Sequence, residues 1–235
     1  MNRIAIFTLL LFSISNHDFP SFSQTASEPS AEKILQNLKE RFNETKDYTA
    51  DLSAEIHFEK MRIPKMEAKI YFKQPNKVHL EPKSGSFAMF PKDAVAFNPS
   101  DFAVERYDVV VQGRESINGV NCYKVKLLAK SDMIRLQRIM MYVDPQFWVV
   151  KKLSTTPDKG GSADAVFDHQ LVQNKFLMTS KITITIDAPT FGSRKRQPDQ
   201  PQVEPQKGTV IVTYGNYKVN VGLSDDLFKK DVKKK

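Results

Sequence analysis

The run 48–58, YTADLSAEIHF, alternates without a break: Tyr48, Ala50, Leu52, Ala54, Ile56 and Phe58 fall on one face, Thr49, Asp51, Ser53, Glu55 and His57 on the other. Successive side chains of an extended chain point to opposite faces, so this pattern makes a long strand buried on one side only. It returns at 66–73, where Met66, Ala68, Ile70 and Phe72 oppose Glu67, Lys69, Tyr71 and Lys73, and at 176–186, FLMTSKITITI. Shorter strands are predicted at 77–81, with Val78 and Leu80 inward, and at 108–112, 121–128, 138–144, 148–154, 163–171, 209–214 and 216–221. Turn residues separate them at Gln74-Pro75-Asn76, Asn118-Gly119, Pro145-Gln146-Phe147 and Lys159-Gly160-Gly161, and Gly215 marks a bulge or kink. The expected fold is mainly β, a sheet of about 9–11 antiparallel strands.

Such a sheet must cover its apolar face. One amphipathic helix is predicted, over 31–44, with Ile34, Leu35, Leu38 and Phe42 on one side and Ser30 as its N-cap. A helix of that length is about 21 Å long. It cannot cover nine strands spaced nearly 5 Å apart, so the sheet either curls on itself or encloses a cavity. The chain carries 16 Phe, 8 Met, 7 Tyr and one Trp. Phe and Met suit an adaptable apolar site, an ordinary packed core being the alternative. The stretch 82–102 is apolar but irregular: Phe87, Met89, Phe90, Val95, Phe97 and Phe102 lie among Pro82, Pro91 and Pro99. It fits bent strands or a lid.

The first residues have the form of an export signal. Asn2 and Arg3 precede an apolar stretch over 4–14, and Ser21-Phe22-Ser23 is a small-x-small cleavage site. The expected mature chain, 24–235, is one domain without a membrane-spanning helix. The single cysteine, Cys122, precludes an internal disulfide, and its position precludes a lipidated signal. Net charge is +8, but the excess is concentrated in Arg194-Lys195-Arg196, within a Pro-rich loop predicted to be mobile over 187–208, and in the basic tail 229–235. Those places favour contact with a membrane surface over nucleic acid, a merely solubilising tail being the equal alternative.

No catalytic constellation emerges, so an enzyme is not expected, and neither a cofactor nor a metal is implied. His57, His79 and His169 lie singly at polar strand positions, facing solvent. Asp164, Asp168 and His169 form the one local carboxylate–histidine cluster, but Ala165, Val166 and Phe167 explain that strand without it.

Taken in order, the signal, the helix AEKILQNLKERF, the strand 47–58, the segment YFKQPNKVHL at 71–80, the hairpin INGVNCY at 117–123 and the terminal LSDDLF at 223–228 resemble the LolA-like family of outer-membrane lipoprotein-sorting proteins. The resemblance runs through most of the mature chain and identifies a divergent member. It implies an incomplete, strongly curved antiparallel barrel whose mouth is covered by helices. It also implies a non-enzymatic periplasmic carrier or chaperone, a monomer whose apolar cavity takes the acyl chains of lipoproteins or related lipids. The cavity is expected from Leu52, Ile56, Phe58, Met66, Ile70, Phe72 and Leu80, with Phe87, Met89, Phe90, Met141 and Trp148. Typical carriers place an arginine before the Pro-Asn pair, where it bonds the lid; here that position is Gln74, and the family's Asp-Gly-Lys turn is replaced by SGSFA at 84–88. The alternative is a periplasmic protein-binding or envelope-stress sensor module on the same fold.

Overall fold

The computed structural model describes residues 28–58, 61–84, 95–134, 136–156, 161–188 and 206–229. Residues 1–27, with the expected export signal, Phe87, Met89, Phe90, Arg194-Lys195-Arg196 and the tail beyond Lys229 lie outside the described residues. The alternating runs become strands: β1 (Asp47–Phe58), β2 (Met61–Arg62), β3 (Met66–Lys73), β4 (Lys77–Ser84), β5 (Tyr107–Ile117), β6 (Val120–Ala129), β7 (Arg138–Val143), β8 (Val150–Thr156), β9 (Ser162–Val172), β10 (Phe176–Ala188) and β11 (Gln206–Val219). Helix α1 (Ala31–Asn43) precedes them, a 3-10 turn covers Pro99–Phe102, and the short α2 (Asp226–Lys229) follows.

The strands form one curved antiparallel sheet in the order β4-β3-β1-β11-β10-β9-β8-β7-β6-β5, with β2 beside β1. β4 and β5 are the two ends of that order, so the barrel is incomplete. The inward face of β1 is Tyr48, Ala50, Leu52 and Ala54, all buried. Its register with β3 sets large against small: Ala50 faces Ile70, Leu52 faces Ala68 and Ala54 faces Met66. Facing pairs of that kind let side chains interdigitate at native density.

The Ser30 side chain accepts the Lys33 N–H at 3.2 Å and caps α1. The helix buries Ile34, Leu35 and Leu38 over the concave side. Its last turn is seated by rings: Phe42 meets Phe72 edge-on at 5.7 Å, and Phe72 stacks on Tyr48 at 5.0 Å. A smaller apolar cluster, Ile117, Cys122 and Tyr142, lies apart from the main core. The Lys124 and Lys152 ammonium groups stand 6.0 and 5.8 Å from the Tyr142 ring centre. Burial pushes the Cys122 thiol up to about 11, so it remains protonated at neutral pH.

Several boundaries differ from the sequence reading. β5 runs to Ile117, past 112, because Gly113, at φ 87°, accommodates a bulge between Val111 and Arg114. β8 begins at Val150, not at Trp148. The Asp144 carboxylate accepts the Gln146 and Phe147 N–H groups at 2.8 and 3.1 Å, which prolongs the turn and leaves Trp148 at φ 51°. In β11 the left-handed residue is Asn216, at φ 52°, not Gly215. The predicted loop over 187–208 loses both ends to strands, since β10 reaches Ala188 and β11 starts at Gln206. There the Phe58 ring lies over Gly208, and a Cβ on that glycine would collide with it.

Candidate functional site

A pocket of about 110 Å³ opens on the concave face, between α1 and the sheet. Leu38, Arg41 and Phe42 of α1 form one wall, with Val95, Phe97 and Pro99 beside them. The β7–β8 turn contributes Trp148 and Val149, and β9 to β11 contribute Phe167, His169, Met178, Ile182, Tyr214 and Tyr217. The tyrosines are fixed by their hydroxyls. Tyr214 donates to the Val95 carbonyl at 3.1 Å, and Tyr217 donates to the Thr179 carbonyl at 2.7 Å. Burial raises the pKa of both, and of Tyr48 beside them, so they remain neutral donors. Trp148 stacks on Tyr123 at 5.8 Å, and the Arg114 guanidinium lies 4.4 Å from the centre of that tyrosine ring.

His169 corrects the expectation of a solvent-facing histidine. It shares the parity of Phe167 on β9, and that face looks into the pocket. Its Nδ1 is shielded from solvent and has no hydrogen-bond partner among the described residues. Leaving such a group bare costs about 1–3 kcal/mol. Burial lowers the imidazole pKa to about 4; Lys151 adds to the effect, while Asp168 and Asp144 oppose it. The suspected cluster is not one. Asp164 pairs with Lys152 and Asp168 with Lys181, each at 2.9 Å. Among the described residues no group of three His, Cys, Asp or Glu is placed to hold a metal.

One turn holds both covers of the pocket. Between β3 and β4 the Gln74 side-chain amide donates to the Phe42 and Thr45 carbonyls at 3.1 and 2.8 Å, tying the end of α1 and the turn after it to the sheet. The next residue's carbonyl, on Pro75, accepts from the side chain of Asn98 at 2.9 Å, and Asn98 caps the 3-10 turn. Gln74 thus bonds the end of the covering helix.

The structure places the other predicted site residues in three settings. Leu52, Met66, Ile70, Phe72 and Met141 belong to the continuous buried core, against which Ile56, Leu80 and Trp148 pack. Ile56 and Phe58 also line a separate open cleft with Ile63, Lys65 and Thr209. Of the predicted set, Trp148 borders the concave pocket. Sequence reasoning missed the contributions of Tyr48, Phe167, His169, Met178, Ile182, Tyr214 and Tyr217. The alternation of 176–186 does carry a signal for Met178 and Ile182, which share its apolar face.

No family model matches the sequence, and no curated protein matches it. Solved structures do. An outer membrane lipoprotein-sorting protein domain from Vibrio parahaemolyticus superposes with a TM-score of 0.59 at 13% identity, covering 86% of this chain and 98% of that one. A LolA superfamily protein from Nitrosomonas europaea gives 0.56 at 12% identity, covering 87% and 100%. The chain has the LolA-superfamily fold. A DUF1329 family protein from Desulfovibrio piger is similar to the same extent, with a TM-score of 0.57 at 15% identity over 87% of this chain and 99% of its own. In this LolA-like fold the curved sheet and its covering helix create the concave pocket.

Proposed function

We propose that the protein is a non-enzymatic periplasmic carrier that holds acyl chains, of lipoproteins or of related lipids, against the concave face of its sheet. The observation that supports this reading most is an apolar pocket between the sheet and a helix tied down by a few polar contacts at one turn. Apolar burial supplies affinity of about 0.8 kcal/mol per methylene. The pocket's 110 Å³ is small; small-molecule sites begin at roughly 300 Å³. A long chain therefore enters only as α1 or the segment around Phe97 lifts.

The small volume also favours a second reading, a protein-binding module whose interior is filled by its own side chains. Native mass spectrometry of residues 24–235 purified from a lipid-rich host, followed by lipid extraction, separates the two. Stoichiometric acyl species support the carrier. An empty protein that also ignores fluorescent fatty-acid probes rejects it in favour of the protein-binding module.

A further inference from the structure

The wall of the concave pocket is apolar apart from a few groups, most of which are already engaged. The Tyr214 and Tyr217 hydroxyls are bonded to backbone carbonyls. Thr45 donates to the Met178 sulfur at 3.7 Å. Arg41, the one Lys or Arg among the described lining residues, is ion-paired with Glu44. His169 is different: its ring borders the pocket, and Nδ1 has neither solvent nor a protein partner. Among the described residues it is the one side chain with a buried polar atom left bare.

Buried polar atoms in native proteins are nearly always satisfied, and exceptions call for a specific explanation. A half-turn of the ring about χ2 carries Nδ1 to its opposite edge, where an occupant of the pocket can reach it. We propose that His169 is the head-group site of this pocket, and that it selects an uncharged acyl amphiphile whose hydroxyl or amide hydrogen-bonds the imidazole while its chain runs along Phe97 and Phe167. This inference rests on the acyl-carrier reading and names its ligand class. A neutral imidazole offers one donor and one acceptor, which matches a hydroxyl or an amide. Among the described residues a carboxylate would find no unpaired cation here: Arg41 is already engaged, and His169 is uncharged at neutral pH.

The test is titration of the full mature chain at pH 7.5 with monododecanoylglycerol and with dodecanoate, read by Trp148 emission, in wild type, His169→Leu and His169→Asn. The wild type is expected to bind the glyceride about tenfold more tightly than the carboxylate of equal chain length, the value of one good hydrogen bond at about 1.4 kcal/mol. His169→Leu abolishes that preference while still binding both ligands, and His169→Asn, which keeps a donor and an acceptor, restores part of it. A preference unchanged in His169→Leu, or tighter binding of dodecanoate by the wild type, overturns the assignment and leaves the carrier reading intact. If neither ligand shifts Trp148 emission, this assignment falls, and the carrier reading falls with it when neither ligand is retained by the wild type in native mass spectrometry.

Discussion

The side-chain amide of Gln74 donates to the carbonyl of Phe42 at 3.1 Å, joining the β3–β4 turn to the last turn of α1. The same amide reaches the Thr45 carbonyl at 2.8 Å, so one residue satisfies two acceptors at a helix end. The Phe42 carbonyl also accepts the Thr45 backbone N–H at 3.2 Å, so Gln74 reinforces the turn that ends α1. Gln74→Ala is therefore expected to destabilise the fold by about 1–2 kcal/mol. The local signature is faster amide exchange over 31–45 with the distant β7–β8 hairpin unchanged. Uniform exchange across the chain would show that Gln74 does not hold the helix.

A second tie closes the chain's far end. The Asp47 carboxylate, 5% exposed, accepts the N–H groups of Val221 at 2.7 Å, Gly222 at 3.0 Å and Leu223 at 3.3 Å. Gly222 is at φ 75°, which a side chain would resist. Asp47→Asn puts an NH₂ group where an acceptor is needed and is expected to cost about 2–3 kcal/mol. The urea midpoint should fall, and proteolysis should appear first within 220–229. An unchanged midpoint would mean that the carboxylate contributes little.

The strands were legible because 48–58 and 66–73 alternate strictly, and a one-residue slip would expose the entire apolar set. The Asn118-Gly119 turn was legible for a different reason: both residues take positive φ, 50° and 82°, as a primed hairpin turn requires. The pocket was not legible in the same way. Counting apolar residues cannot distinguish Ile70, sealed within the sheet, from Ile182, which borders the space under α1, because both obey the same period. His169 read as polar and outward because histidine is ambiguous by composition, and its parity with Phe167 was the signal that should have prevailed. Gln74 was visible as a position, but what it bonds depends on where α1 ends.

Core and pocket also separate in their response to charge. Phe72 and Met141 are 2% and 0% exposed. Phe72→Glu and Met141→Glu are accordingly expected to unfold the chain, since an isolated buried carboxylate has no partner there. Far-UV circular dichroism checks this directly, and a native spectrum for either variant would contradict the packing described.

Trp148 is the only tryptophan, so tryptophan emission reports on the pocket rim alone. Acyl-chain entry is expected to displace it from the Tyr123 stack or dry its surroundings, shifting emission to shorter wavelength or changing its intensity. Trp148→Phe removes the signal without removing binding by a separate probe. Saturating lipid with no spectral change would exclude occupancy beside the β7–β8 turn.

The buried imidazole makes stability depend on pH in a definite window. His169 takes up a proton near 6.5 in the unfolded chain but only near pH 4 when folded. Between these values the unfolded state binds more protons, so stability is complete above about pH 6.5, falls as pH drops towards 4, and loses nothing further to this group below that. Burial dominates the effect, with Lys151 reinforcing it and Asp168 and Asp144 offsetting part. The total is of order 3 kcal/mol. The carboxyls of Asp51 and Asp225 act lower on the scale: hydrogen bonds from Lys83 and Asn216 hold the first, and from Lys73 and Lys77 the second, below the ordinary 3.8. Their contributions are lost only as pH falls through that lower range. Urea unfolding of wild type and His169→Leu from pH 7.5 to 3 separates the two sources. The variant should lose the slope between 6.5 and 4 and keep the fall beneath it, whereas identical curves would show that His169 accepts its proton equally well in both states.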